Sequence, residues 1–152
     1  MESSKNISEQ ATAASPGLAK KLLKCVRETS MKLQRLGFYK EMPHGGKNDP
    51  SILKSVRERS GLEEEKIINY LKGGRVLAAC GGITKDIINP DNGISGCPDM
   101  LTDGIWLWPG DLAYYVKKYH LELDGNFIKT MVDNNWQVKD IPEIDLDDLE
   151  IV

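Results

Sequence analysis

Residues 101–116 read LTDGIWLWPGDLAYYV, and this pattern decides the fold class. Thr102-Asp103-Gly104 is a turn, built from residues that favour one. Ile105 to Trp108 reads as a strand, whose alternation puts Ile105 and Leu107 on one face and Trp106 and Trp108 on the other. Pro109-Gly110 makes a corner, and Asp111 is placed to cap a helix running to about Tyr119. On that helix Leu112, Tyr115, Val116 and Tyr119 share one face. Two of the three Trp and two of the five Tyr fall in these sixteen residues. Aromatic side chains bury large areas, so the segment either anchors the fold or presents a binding surface. Turns, cap and core account for most of it, which leaves Trp106, Trp108 and Tyr114 as residues that could face a partner. Full burial of both Trp would make the segment scaffold alone.

Working outward, Asp124 caps a last helix with Phe127, Ile128, Met131 and Val132 as its stripe and Trp136 near its end. Upstream, Arg75–Cys80 (RVLAAC) is a short buried strand, and Gly81-Gly82 marks a bulge or turn. Ile83–Ile88 is extended. Asn89-Pro90-Asp91-Asn92-Gly93 is the strongest turn in the chain. Ile94–Met100 returns as a strand weakened by Gly96 and Pro98. Ser60 and Glu63 form a capping box for a helix over about Leu62–Lys72, buried through Ile67, Ile68 and Leu71 and closed by Gly73-Gly74. Asp49-Pro50 starts an earlier helix with Ile52, Leu53 and Val56, ended by Gly61. Ser15-Pro16 starts the first one, with Leu18, Leu22, Cys25, Val26, Thr29 and Leu33 at helical spacing and Gly37 as its stop. The expectation is an α+β domain: N-terminal helices, a small mainly antiparallel sheet from about 75 to 108, and two C-terminal helices packed on it. Residues 1–15 are expected to be a disordered arm, 16–139 the single domain, and 140–152 an acidic tail.

The chain has 152 residues, 40% hydrophobic and 28% charged, which suits one domain with a real core. A net charge of −3 does not point to nucleic acid. No apolar run reaches the roughly 18 residues of a membrane span, and the polar N-terminal stretch lacks the core of a secretory signal. Three Cys with no metal spacing fit reduced thiols. A cytoplasmic protein is expected, with no membrane contact.

Candidate chemistry is sparse. His44 and His120 have no ligand neighbours at metal spacing, and Cys25, Cys80 and Cys97 lie far apart, so no metal and no cofactor are expected. Cys97 and His120 could pair as nucleophile and base only if the fold joins them. Asp86, Asp91, Asp99 and Asp103 could do acid–base work or bind a hard cation, although Asp91 and Asp103 are turn formers. His44-Gly45-Gly46-Lys47 matches no phosphate-loop spacing. Residues 55–74, SVRERSGLEEEKIINYLKGG, have the outline of a helix-turn-helix. The would-be recognition helix opens with Glu63, Glu64 and Glu65, which would repel phosphates.

Charge is segregated. Lys20, Lys21, Lys24, Arg27, Lys32, Arg35 and Lys40 make the segment of the first helix and the residues just after it basic, against Glu28 alone. Asp140, Glu143, Asp145, Asp147, Asp148 and Glu150 make the end acidic, interleaved with Ile141, Ile144, Leu146, Leu149, Ile151 and Val152. Either the acidic end folds onto the basic helix, or it meets a basic partner and steers its approach. The partner-facing candidates are therefore Trp106, Trp108, Tyr114, Asp145, Asp147, Asp148 and Glu150, with no catalytic residue among them.

Tyr70-Leu71-Lys72-Gly73-Gly74, then Thr102-Asp103-Gly104, Trp106, Trp108-Pro109, Asp111-Leu112 and Tyr114-Tyr115-Val116, followed by Leu123 and Phe127, resemble a group of small bacterial proteins. These share a TDG-x-W-x-WP-x-x-L-x-YY core followed by a helix with an early Phe. The match spans about Ile67 to Trp136. Some proteins of this kind resemble the cytoplasmic immunity proteins that accompany secreted bacterial toxins. The resemblance implies a non-enzymatic protein that binds a cognate toxin domain, such as a nuclease, and blocks it, with no direct contact to nucleic acid. It transfers no catalytic residue. Two other readings stand beside it: a small enzyme or ligand-binding domain using the 91–103 loop, where Cys97, Asp99, Asp103 and His120 would converge, and a DNA-binding regulator using residues 50–72.

Overall fold

The computed structural model describes residues 31–152. The expected arm over 1–15 and the part of the expected first helix over 16–30 lie outside them. The chain is α+β. Its strands are β1 (Lys32–Arg35), β2 (Arg75–Ala78), β3 (Thr84–Lys85), β4 (Ile94–Gly96), β5 (Met100–Thr102), β6 (Trp106–Pro109) and β7 (Glu150–Ile151). The helices are α1 (Glu64–Lys72), α2 (Leu112–Tyr119) and α3 (Gly125–Asp133). Two compact units are separated among the described residues: Lys32–Ile144 with Ile151–Val152, and Asp145–Glu150 with Met31.

The main sheet has the order β2-β5-β6-β1-β7, and β3 pairs only with β4. Within the stretch expected to form one antiparallel sheet, β2 with β5 and β5 with β6 are antiparallel, while β3 and β4 stand apart as an antiparallel pair of their own. Beyond it β6 runs parallel to β1, with Gln34 opposite Trp106 and Arg35 opposite Leu107. Val152 donates to the Leu33 carbonyl at 2.8 Å and accepts from the Arg35 amide at 3.1 Å, which is the bond pattern of a parallel pair. The sheet as a whole is therefore mixed.

The local sequence did not announce β1. Leu33 sat on a helical stripe, and Lys, Leu, Gln and Arg are all good helix formers. In the fold Lys32–Arg35 is a strand instead, flanked on both sides. Its backbone is held by Gln34 to Ile105, Leu36 to Leu107 and Arg35 to Val152. A helix there would leave the β6 edge unpaired.

A second correction concerns residues 50–61. Only one 3-10 turn forms, Ile52–Lys54. Ile52 is buried, but Leu53 and Val56 are exposed, so the supposed apolar stripe has one working member. The Ser55 carbonyl accepts from Glu122, the Arg57 amide bonds Tyr119, and the Arg57 guanidinium reaches the carbonyls of His120 and Leu121. These long-range bonds hold the chain extended where a helix would continue. The helix-turn-helix outline over 50–72 thus lacks its first helix. The Ser60/Glu63 capping box is also absent: Glu63 sits in the left-handed region at φ 60 with no side-chain cap bond. Glu64 reaches back to the Gly61 amide in its place.

α1, α2 and α3 bury Ile67, Tyr70 and Leu71, then Leu112, Ala113, Tyr115 and Val116, then Phe127 and Met131. They close over the Trp106–Trp108 face of the sheet. Phe127 is its aromatic centre, 5.2 Å from Trp106, 5.3 Å from Trp108 and 6.1 Å from Tyr70 between ring centroids. Gly74, which ends α1, is packed against this cluster. A Cβ built there would lie 2.5 Å from Trp108 Cζ2 and 3.0 Å from Leu101 Cβ. Gly74→Ala is therefore expected to destabilise the protein by about 1–3 kcal/mol, because the indole must shift within a filled core. Urea unfolding measures this, and a change below about 0.5 kcal/mol would show that the ring has room to move.

The expected return strand over 94–100 is two strands. β4 stops at Gly96, whose φ of 147 breaks the ladder, and β5 begins after Pro98. β4 turns to β3, while β5 joins the main sheet.

Candidate functional site

The first partner-facing candidates are inside the molecule. Trp106 is 5% exposed and Trp108 0%. The Trp106 indole donates to Thr130 Oγ1 at 3.0 Å, and that of Trp108 to the Leu71 carbonyl at 3.1 Å. Both faces of β6 are covered, so by the burial criterion this segment is scaffold. Tyr114 is half-buried, and its hydroxyl is taken by Asp86.

The acidic candidates lie at the surface. Asp145 accepts from the Asp147 amide at 3.0 Å and so caps a 3-10 turn over Leu146–Asp148. Asp145, Asp147, Asp148 and Glu150 are all exposed. The stretch read as one tail is divided: 140–144 belongs with the main body, 145–150 with the second unit, and Ile151–Val152 with the main body again.

The loop over 91–103 does not gather the four residues assigned to it. Cys97 is exposed. Asp99 accepts from the Cys80 amide at 3.0 Å. Asp103 is buried beneath its own turn: Oδ1 takes the amides of Ile105 and Trp106, and Oδ2 takes the Tyr70 hydroxyl at 2.7 Å. Burial, with the Asp103 carboxylate beside it, pushes the Tyr70 hydroxyl well above its ordinary pKa. His120 ends α2 in the left-handed region and packs its Nδ1 against Glu64 at 2.9 Å. Among the described residues no group of three His, Cys, Asp or Glu could hold a metal ion, and no helix is long and apolar enough to cross a membrane.

Two polar knots are what the fold builds instead. Asp86, read only as a loop carboxylate, is 1% exposed and accepts five hydrogen bonds. Oδ1 takes the amides of Ile88 and Asn89, each at 2.9 Å. Oδ2 takes Asn92 Nδ2 at 3.1 Å and the hydroxyls of Tyr114 and Tyr119 at 2.8 and 2.6 Å. Burial by itself would raise the carboxyl pKa, but the Asn89 amide, the Tyr119 hydroxyl and their companions outweigh it and hold the group at about 2. Burial and the bond to this carboxylate push Tyr114 and Tyr119 up to about 12.

The second knot corrects the reading of Asp111 as a helix cap. It occupies the cap position of α2, but its side chain makes no cap bond. Oδ2 accepts from Thr84 Oγ1 at 3.0 Å, and Thr84 in turn meets Ser95 Oγ at 2.8 Å. Oδ1 lies 3.2 Å from His44 Nε2 without the alignment of a hydrogen bond. This knot ties the β3–β4 hairpin to the start of α2. A hydroxyl three strands away leaves no mark in the sequence around Asp111, where a cap is the default expectation.

Between the knots a cavity of about 750 Å³ opens. Pro43, Ile83, Ile87, Pro90, Pro98 and Met100 give it apolar walls, with Cys80 and Lys85 also lining it. Two other concavities, of about 540 and 670 Å³, are walled largely by charged and polar side chains. The sequence showed an extended run over 83–88, but nothing local to it signalled that Pro43 and Pro98 would line the same cavity.

Comparison with protein-family models, with curated proteins and with solved structures returns no match.

Proposed function

We propose that this protein acts by binding another protein, as a cytoplasmic immunity protein that blocks the active domain of a cognate bacterial toxin, with a nuclease as the target class. The observation that carries this reading is the contrast between the buried and exposed acids. Asp86, Asp103 and Asp111 are buried and bonded within the fold. Asp145, Asp147 and Asp148 are exposed together on one turn. Exposed carboxylates at that spacing offer a phosphate-like surface to a cationic active site and steer a basic partner toward it.

The test uses the secreted toxin-like product of the gene beside its own. Mixing the purified pair is expected to give a one-to-one complex that abolishes the toxin's activity. Reversing charge with Asp145→Lys, Asp147→Lys and Asp148→Lys together is expected to slow association by about tenfold or more at low salt, since rim charges act chiefly on the on-rate. Circular dichroism checks that the fold is kept. Failure to bind the neighbouring product, or association unchanged by the reversal, would remove the reading.

A further inference from the structure

The cavity beside the β3–β4 hairpin is formed before any ligand arrives. Thr84 is tied to Asp111 and Ser95, the Cys80 amide to Asp99, and Asp86 is held by its five donors. A wall fixed in this way loses little freedom on binding. Its volume of about 750 Å³ falls in the range of small-molecule sites.

Its chemistry is lopsided. The lining is mostly aliphatic and includes Ile83 at 61% exposure, while Ile94, the partner of Lys85 across the hairpin, is 57% exposed. Of the charged side chains in the lining, Asp86 is saturated with donors and His44 is turned to Asp111. The ring nitrogens of His44 are sealed from solvent, so an occupant could not reach them. Lys85 is different: it is exposed, and among the described residues its ammonium has no hydrogen bond and no ion pair. An apolar concavity with a single uncompensated cation selects by shape for an aliphatic body and by charge for one anion.

We propose that this cavity binds a small amphiphilic carboxylate, an aliphatic chain of roughly eight to twelve carbons whose carboxylate pairs with Lys85 while the chain lies on Ile83, Ile87, Pro98 and Met100. The ligand is a free fatty acid in its chemistry, and the site is distinct from the acidic turn proposed to meet a protein.

Cys80 and Cys97 supply a built-in readout. Both are exposed thiols, but only Cys80 lines the cavity. Full-length protein is alkylated with iodoacetamide in the presence of decanoate, decanol or decylamine, each below its micelle concentration. Mass spectrometry then maps the rate at each cysteine. Decanoate is expected to slow alkylation of Cys80 at least about fivefold near saturation, leaving Cys97 unchanged. Decylamine should not protect. Lys85→Glu, a surface change that spares the fold, should abolish protection by decanoate and confer it on decylamine. Absence of protection at millimolar decanoate, equal protection by decanol, equal protection of both cysteines, or indifference to Lys85→Glu would each overturn the proposal.

Discussion

Asp86→Ala is expected to destabilise the protein by about 3–5 kcal/mol at neutral pH, because it removes the common acceptor of five donors at a buried position. The donors come from separate places: the amides of Ile88 and Asn89, the side chain of Asn92, and Tyr114 and Tyr119 on α2. Losing the carboxylate therefore releases the 86–93 turn from the helix as well as leaving polar groups unpaired. Asp86→Asn should recover little, since its amide would aim a donor at hydroxyls that are already donating. Urea unfolding followed by tryptophan fluorescence measures both, and a loss below about 1 kcal/mol for the Ala variant would show that water replaces the carboxylate. The pH dependence has a definite sign. The folded group titrates at about 2, below the roughly 3.9 of an unfolded Asp. Its contribution is thus present above about pH 4 and lost as pH falls toward 2. The wild-type protein should lose stability across that window more steeply than Asp86→Asn does.

Trp108→Ala should cost about as much by a different route, about 3–5 kcal/mol from a large cavity in the aromatic core. The side chain is fully buried between Phe127 and Tyr70, and its indole is the donor for the Leu71 carbonyl. Trp108 joins β6 to the end of α1, so its loss should loosen both. Trp108→Phe keeps much of the ring and should cost less, chiefly the bond to Leu71. Ile105→Ala, at a 46% exposed position just before β6, is expected to change stability by under about 1 kcal/mol. Denaturation followed by circular dichroism ranks the three. A Trp108→Ala effect no larger than that of Ile105→Ala would mean the aromatic cluster is not the core.

Together these expectations separate two uses of aromatic residues in one segment. Trp106 and Trp108 are anchors, and Tyr114 and Tyr119 serve as donors to a buried charge. The Trp residues of the TDG-x-W-x-WP pattern are therefore scaffold. If the protein discriminates among partners, that property has to lie elsewhere, which is why the exposed acids and the hairpin cavity carry the two functional proposals.

Much of the fold could be read locally. Asp124 caps α3 by accepting from the Asn126 amide, and Asn89 holds the Pro90–Asn92 turn by accepting from the Asp91 amide. Asp103 organises its own turn, and Gly73 closes α1 through bonds to Asn69 and Tyr70. Each of these bonds spans at most a few residues, so the residue types and their spacing carry the information. The candidate site was far less readable. Of the seven partner-facing residues, two Trp are core and Tyr114 bonds a buried carboxylate. Asp86 gave no sign of its role, because three of its donors come from side chains that no short motif links to it.

What lies within a turn or two of the chain was determined by the amino acids themselves: the Asp124 cap, the Asn89–Gly93 turn, the three helices and the apolar strand through Trp108. Only tertiary structure decided that Lys32–Arg35 would be a strand, that Asp111 would hold Thr84 rather than its own helix, and that both Trp would be buried. The physical reason is separation along the chain. Gln34 pairs with Trp106, and Thr84 reaches Asp111, through contacts that exist only once the sheet has formed. Their energy outweighs local preferences of a few tenths of a kcal/mol per residue, roughly the scale of helix propensity.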